Sequence, residues 1–189
     1  MLMKRIAGAF LFRKGVYAEV ERDTEFTSTA WILVVVVSFL SQLGRFAGHG
    51  FGGLGKWLIS AFVGTIFAVI GFALGAWVVS WVGKALFKAE VTFDEMVRTL
   101  GLAYVWNLVG LIAIVTVVST TLACIAAPIA LISALLALAA WLIAAKEALD
   151  LGWGRTVVTV ILGWIVTFLI TMAATWLLGL IGIRVAATR

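Results

Sequence analysis

Long stretches without a single charged residue alternate with short polar connections, and the lengths of those stretches set the fold. Runs free of Asp, Glu, Lys, Arg and His extend from Phe26 to Gly44, Trp57 to Gly83, Thr99 to Ala145 and Thr156 to Ile183. A bilayer's hydrocarbon core, about 30 Å thick, takes roughly 20 apolar residues to cross as a helix. The third run, 47 residues, would be about 70 Å long as one helix, so it is expected to turn and cross twice. The turn is placed near Ser119, Thr120 and Thr121, because Pro128 follows and proline is tolerated in the first turns of a helix. The pattern predicts an all-α integral membrane protein, a bundle of five transmembrane helices with short interfacial amphipathic helices. The spans are expected at about 27–44, 57–83, 101–119, 123–145 and 156–181. Residues 1–25 form a cytoplasmic amphipathic segment, 26–183 the transmembrane domain and 184–189 an external tail.

The polar connections carry their own periodicity. Thr92-Phe93-Asp94-Glu95 has the form of a capping box, in which Thr and the Glu three residues later satisfy free amides at a helix start. Phe93, Met96, Val97 and Leu100 follow in helical spacing, while Asp94 and Arg98 stand four apart and can pair. This reads as a cytoplasmic interfacial helix, with Phe93, Asp94, Glu95 and Arg98 as its working residues, lying on the surface as an anchor or as a positioned element for a partner. Met3, Ile6, Phe10, Tyr17 and Val20 give the N-terminal segment a similar apolar face, with a basic start and an acidic finish. The apolar stretch Ile6 to Phe12 is too short for a signal peptide and lacks a cleavage pattern, so the segment is read as retained.

Charge then orients the bundle. Ten of the fourteen Lys and Arg fall in the N-terminal segment and in the second and fourth connections; Arg45, Lys56, Arg184 and Arg189 fall opposite. Since Lys and Arg accumulate in the cytoplasm, the N-terminus is expected inside and the C-terminus outside, in a prokaryotic inner (plasma) membrane. Composition agrees: 64% of residues are hydrophobic, 12% are charged and the mean hydropathy is +1.19. The net charge of +5 suggests no nucleic-acid partner, because the basic residues flank spans and do not gather on one aqueous face.

Two spans carry small-residue faces. Ala61, Gly64, Ala68, Gly71 and Gly75 recur every three or four residues in the second, and Ala126, Ala130, Ser133, Ala137, Ala140 and Ala144 do so in the fourth. Such faces let backbones approach closely, so Gly64, Gly71, Gly75, Ala130 and Ala137 are the candidates for helix packing or partner contact. Among amides only Gln42 and Asn107 occur in charge-free runs. Asn107, the intramembrane polar candidate, is read first as an interhelical hydrogen bond or a contact near the headgroup level, and second as a contact on a transport path.

Chemistry is otherwise scarce. Gly50, Gly52 and Gly55 have dinucleotide-motif spacing, but the motif needs a βαβ unit around it, and Trp57 stands where a Walker pattern needs Ser or Thr after Lys56. His49, the only histidine, has no ligand partners nearby, and the single Cys124 offers neither a disulfide nor a metal site. The spans hold no carboxylate or histidine to activate a nucleophile. Catalytic residues, cofactors and metals are therefore all expected to be none.

The order of parts resembles a family. "RIAGAFLFRKGVYAEVERD" before the first span, "VTFDEMVRTLGLAYVWNLVG" entering the third and "LIAAKEALDLGWGRTVVTVIL" between the fourth and fifth are similar to the Yip family of Ypt/Rab-interacting membrane proteins, in its shorter prokaryotic form. The resemblance implies five helical spans with a cytoplasmic N-terminus and no catalytic residues. Eukaryotic members associate with Rab-type GTPases in early secretory traffic. The long tail with an Asp-Leu-Tyr-Gly-Pro signature does not occur here, and Gly101, Leu102 and Trp106 stand where the family commonly has Gly-Tyr and a following Pro, so Rab binding is not implied. The expected function is a non-enzymatic membrane scaffold or accessory subunit that binds the lipid bilayer and another membrane protein or itself. The alternative is a small permease or channel with Asn107 on its path.

Overall fold

The charge-free runs become helical rods, and the contacts between them set their directions. The structure, a computed structural model, describes residues 1–47, 54–114 and 120–180. His49, Gly50, Gly52, Ser119 and the 184–189 tail lie outside the described residues, as does the side chain of Cys124. The elements are α1 (Leu2–Phe10), α2 (Val16–Arg22), α3 (Phe26–Ala47), α4 (Leu54–Phe87), α5 (Phe93–Ala103), a 3₁₀ segment (Tyr104–Ile114), α6 (Thr120–Leu149) and α7 (Trp153–Leu180). No strand occurs among the described residues. Three helices, Phe26–Gly44, Trp57–Phe87 and Pro128–Leu149, are long and apolar enough to cross a membrane, and Trp153–Val166 is a shorter apolar stretch of α7.

The contacts fix the directions. Trp31 meets Phe72, Gln42 meets Gly64 and Trp57 meets Leu43, so α3 and α4 run antiparallel. Along α3, Ala30, Ser38 and Ser41 meet Gly101, Tyr104 and Gly110 in the same order, so the α5–3₁₀ rod runs parallel to α3. Gly163 meets Val79 while Gly83 lies near Thr159, which sets α7 antiparallel to α4. Large apolar side chains on α3, α4, α6 and α7, among them Ile32, Phe62, Phe67, Leu131 and Phe168, are exposed. Water would penalise these faces; lipid tails do not.

The third run carries two elements, the α5–3₁₀ rod to Ile114 and α6 from Thr120, so Thr120 and Thr121 of the expected turn are helical. Pro128, however, lies inside α6 and not in its first turn. Its side chain is exposed, and apolar surroundings tolerate such interruptions better than an aqueous helix does. The 3₁₀ segment was not foreseen. Eleven residues at about 2.0 Å of rise give about 22 Å, longer than the same residues as α-helix.

The core sits at the end of the bundle where α2, α5 and α6 meet. Met96, Val97, Leu100 and Leu102 of α5 are fully buried, together with Val16 and Val20 of α2 and Leu149 of α6. The expected capping box is present: Thr92 Oγ1 accepts from the Glu95 amide at 3.2 Å and Glu95 Oε2 accepts from the Thr92 amide at 2.6 Å. The expected surface position is corrected. All of Met96 to Ala103 is buried, so α5 is the central helix of this end, covered by its neighbours along that length. The apolar face of the N-terminal segment also turns inward: Tyr17 and Val20 are buried, and Phe10 packs edge-on against Trp106 at 5.0 Å. Phe12 stops α1 in a left-handed conformation (φ 50°), its ring 5.5 Å from that of Trp106.

Candidate functional site

Three segments that are far apart in sequence share one polar junction. Arg98 is only 5% exposed; its Nε and Nη2 donate to the Glu21 carbonyl oxygen at 2.9 and 2.6 Å, and its Nη1 donates to Thr27 Oγ1 at 3.1 Å. The expected Asp94–Arg98 pair does not form among the described ion pairs. A buried guanidinium is held better by two convergent bonds to one carbonyl than by an exposed i,i+4 carboxylate. Arg98 thereby ties the start of the third rod to the segment preceding the first.

Carboxylates surround this tie. Burial pushes the Glu21 carboxyl above its ordinary range, and the like charges of Asp150, Glu95 and Glu147 add to the shift. Those neighbours come from the N-terminal segment and from the second and fourth connections, which are the three regions richest in Lys and Arg. They therefore lie at one end of the molecule. The exposed edge is paired: Arg5 donates to Glu19 at 3.0 Å and to Asp23 at 2.7 Å, and Arg13 to Glu19 at 2.7 Å. The hydrogen bonds from Arg5 hold the carboxyls of Glu19 and Asp23 below their usual range. Among the described residues no set of three His, Cys, Asp or Glu side chains is arranged to hold a metal.

The second candidate is a groove halfway along the bundle. A cavity of about 460 Å³ opens between α4, the 3₁₀ segment, α6 and α7, lined among others by Gly71, Gly75, Tyr104, Asn107, Ala137 and Trp164. Asn107 and Ala137 also line an adjoining cavity of about 160 Å³ with Ala130 and Ser133. Four of the five small-residue candidates, two on α4 and two on α6, thus converge with Asn107 of the 3₁₀ segment. Ala137 packs against the core, whereas a Cβ at Gly71 or Gly75 would meet no atom within 4 Å. Gly64 lies apart, its carbonyl accepting from Gln42 Nε2 at 3.3 Å.

The tight seams use other glycines. A Cβ on Gly44 would collide with the Gly110 carbonyl oxygen, one on Gly101 would come to 2.9 Å from Ala30 Cβ, and one on Gly163 to 2.6 Å from Val79. Sequence reasoning missed these because nothing in the sequence says which backbone or side chain will face a given glycine. Gly44 and Gly110 end charge-free or aromatic stretches, a signal too general to select them.

Polar groups near the groove are largely satisfied at home. Asn107 Nδ2 donates to the Tyr104 carbonyl at 3.1 Å within its own segment, which corrects the expected interhelical bond. Ser38 Oγ donates to the Tyr104 hydroxyl at 3.3 Å, and Thr65, Ser80 and Thr159 bond back to carbonyls of their own helices. Such back-bonding leaves few side-chain donors to escort a polar solute.

No curated protein and no solved structure matches the chain. A family model does: the Yip1 domain matches residues 8–180, from the first helix through the last. Its span includes the buried Arg98 tie, the α3 seam and the groove. Apolar rods of membrane-crossing character joined by this match give the conclusion that the chain belongs to the Yip1 family of membrane proteins.

Proposed function

We propose that this protein is a non-enzymatic, five-span member of its family that binds a transmembrane helix of another membrane protein in the groove between α4 and α6. The observation that carries the reading is the unfilled glycine face: Gly71 and Gly75 meet nothing within 4 Å while lining a cavity of about 460 Å³. Glycine in a helix interior sacrifices about 0.5–1 kcal/mol relative to alanine, and close approach of a second backbone is the ordinary return for that cost in membranes. Five crossings are supported by length. From Thr99 to Ile114 the third rod combines α-helix and 3₁₀ segment, about 30 Å without a charge. The cytoplasmic placement of the N-terminus rests on the basic residues gathered at the junction end.

Purification in mild detergent from native membranes tests the reading. A stoichiometric membrane-protein partner should accompany the wild type and be lost from the Gly71→Leu/Gly75→Leu variant, in which a Cβ at either position meets no atom of the bundle within 4 Å. Retention of the same partner by that variant would sink it. For topology, cysteines at Lys88 and His49 should label from opposite faces.

Asn107 favours a second reading, because it lines both cavities. A permease would show solute flux in liposomes that Asn107→Leu abolishes.

A further inference from the structure

A smaller cavity, about 110 Å³, lies at the junction end, where the turn between α1 and α2 faces the last turns of α6. Arg13, Lys14 and Tyr17 line one wall; Ile143 and Glu147 line the other. Cations on one side and a carboxylate on the other give the cavity a charge pattern that neither the groove nor the family reading uses.

Tyr17 marks the site independently. The residue is 2% exposed, and its hydroxyl is the single buried side-chain polar atom without a hydrogen-bond partner among the described residues. Leaving such a group unsatisfied costs about 1–3 kcal/mol, so a ligand that accepts its proton has a ready gain. Lys14 is exposed and makes no ion pair among the described residues. Arg13 spends Nη2 on Glu19 at 2.7 Å, but a guanidinium carries five N–H donors.

The level of the cavity indicates which ligand can reach it. The charge-free run containing α6 ends at Ala145, between Ile143 and Glu147 on the cavity wall. Close by, the Lys146 ammonium stands 5.6 Å from the centre of the Trp153 ring, and tryptophan concentrates at the height of lipid headgroups. Ile143 and Phe12 supply an apolar edge on the same cavity.

We propose that this cavity binds the headgroup of a zwitterionic phospholipid of the phosphoethanolamine type. Its phosphate sits against Arg13, Lys14 and the Tyr17 hydroxyl, and its ammonium sits at Glu147. A phosphate alone would satisfy the first wall and leave Glu147 repelling it; a headgroup carrying both charges answers both walls. This inference does not rest on the partner-binding reading, since the two cavities share no residue.

The test is native mass spectrometry of the full chain from mixed micelles containing equal amounts of phosphatidylethanolamine and phosphatidylglycerol. The wild type should retain one phosphatidylethanolamine in about tenfold preference. Glu147→Gln should remove the preference while phosphatidylglycerol retention holds or rises. Lys14→Gln, which breaks no ion pair, should lower retention of both lipids several-fold, and Tyr17→Phe should do so more weakly. Soluble phosphoethanolamine and inorganic phosphate form the competing arms: at millimolar concentration neither should displace the lipid, and displacement by either would assign the site to a free phosphate. Retention unchanged in both Lys14→Gln and Glu147→Gln, with melting like the wild type, would overturn the proposal.

Discussion

The junction end and the central groove are built from opposite materials. At the junction, long side chains from α2, α5 and α6 are buried, and Arg98 is bonded through three nitrogens. In the groove, small residues surround open space, and the nearest amide bonds to its own backbone. The Arg98 tie is therefore complete within one chain, whereas the groove has surface left to cover. Small residues in a membrane helix consequently carry two distinct meanings. Where a glycine faces a backbone it is a requirement of this fold; where it faces space it is an opportunity for something else.

Glycine substitutions break the comparison most sharply. Gly44→Ala drives a methyl group into the Gly110 carbonyl and is expected to cost about 3 kcal/mol or more, since backbone cannot yield as a side chain does. Gly71→Ala and Gly75→Ala should be neutral or stabilising by about 0.5–1 kcal/mol. Thermal unfolding of the purified variants in detergent measures both.

Arg98→Leu follows in size. It removes three hydrogen bonds from a charged donor, and a loss of about 3 kcal/mol is expected in the same melts. Asp94→Asn should change stability by less than about 0.5 kcal/mol, because Asp94 is exposed and Arg98 is committed elsewhere. Equal effects from the two would return Arg98 to a surface pair. Thr92→Ala removes one half of the capping box and should cost about 1 kcal/mol.

The smallest effect is one of pH. Burial, with the charges of Asp150, Glu95 and Glu147, raises the Glu21 pKa, so Glu21's contribution to stability is full below the ordinary value near 4.5 and lost as pH rises through the raised one. Glu19 and Asp23 are lowered by Arg5, so their contribution is present above their ordinary values and lost as pH falls through the lowered ones. Acidification from neutral should first stabilise the junction and then weaken it. Glu21→Gln should melt above the wild type at pH 8, with the advantage fading as pH falls toward 5. A constant difference across that range would contradict the assignment.

Much of this was legible in the chain. Charge-free lengths located the rods and required the third run to divide; the Thr92–Glu95 spacing located the start of α5; the distribution of Lys and Arg foretold which connections share an end. These signals depend on residues near one another in sequence. Arg98 was misplaced because its partners are a backbone carbonyl and a hydroxyl seventy or more positions away, and a carbonyl leaves no mark in a sequence. The 3₁₀ segment was hidden for a similar reason: tight packing against α3 at Gly44 and Ser41 is a property of the assembled bundle. The small-residue faces that carry Gly71 and Gly75 on one span and Ala130 and Ala137 on another show as periodicity, but periodicity cannot say whether such a face is already covered.

Photocrosslinking in native membranes addresses that last distinction most directly. A photoreactive residue replacing Ala68 or Ala134, both on the groove, should yield a discrete adduct with a second membrane protein. The same residue at Ile161, exposed on α7, should yield only lipid adducts. Groove positions that react with lipid alone, as Ile161 does, would contradict the claim that the open glycine face is kept for another helix.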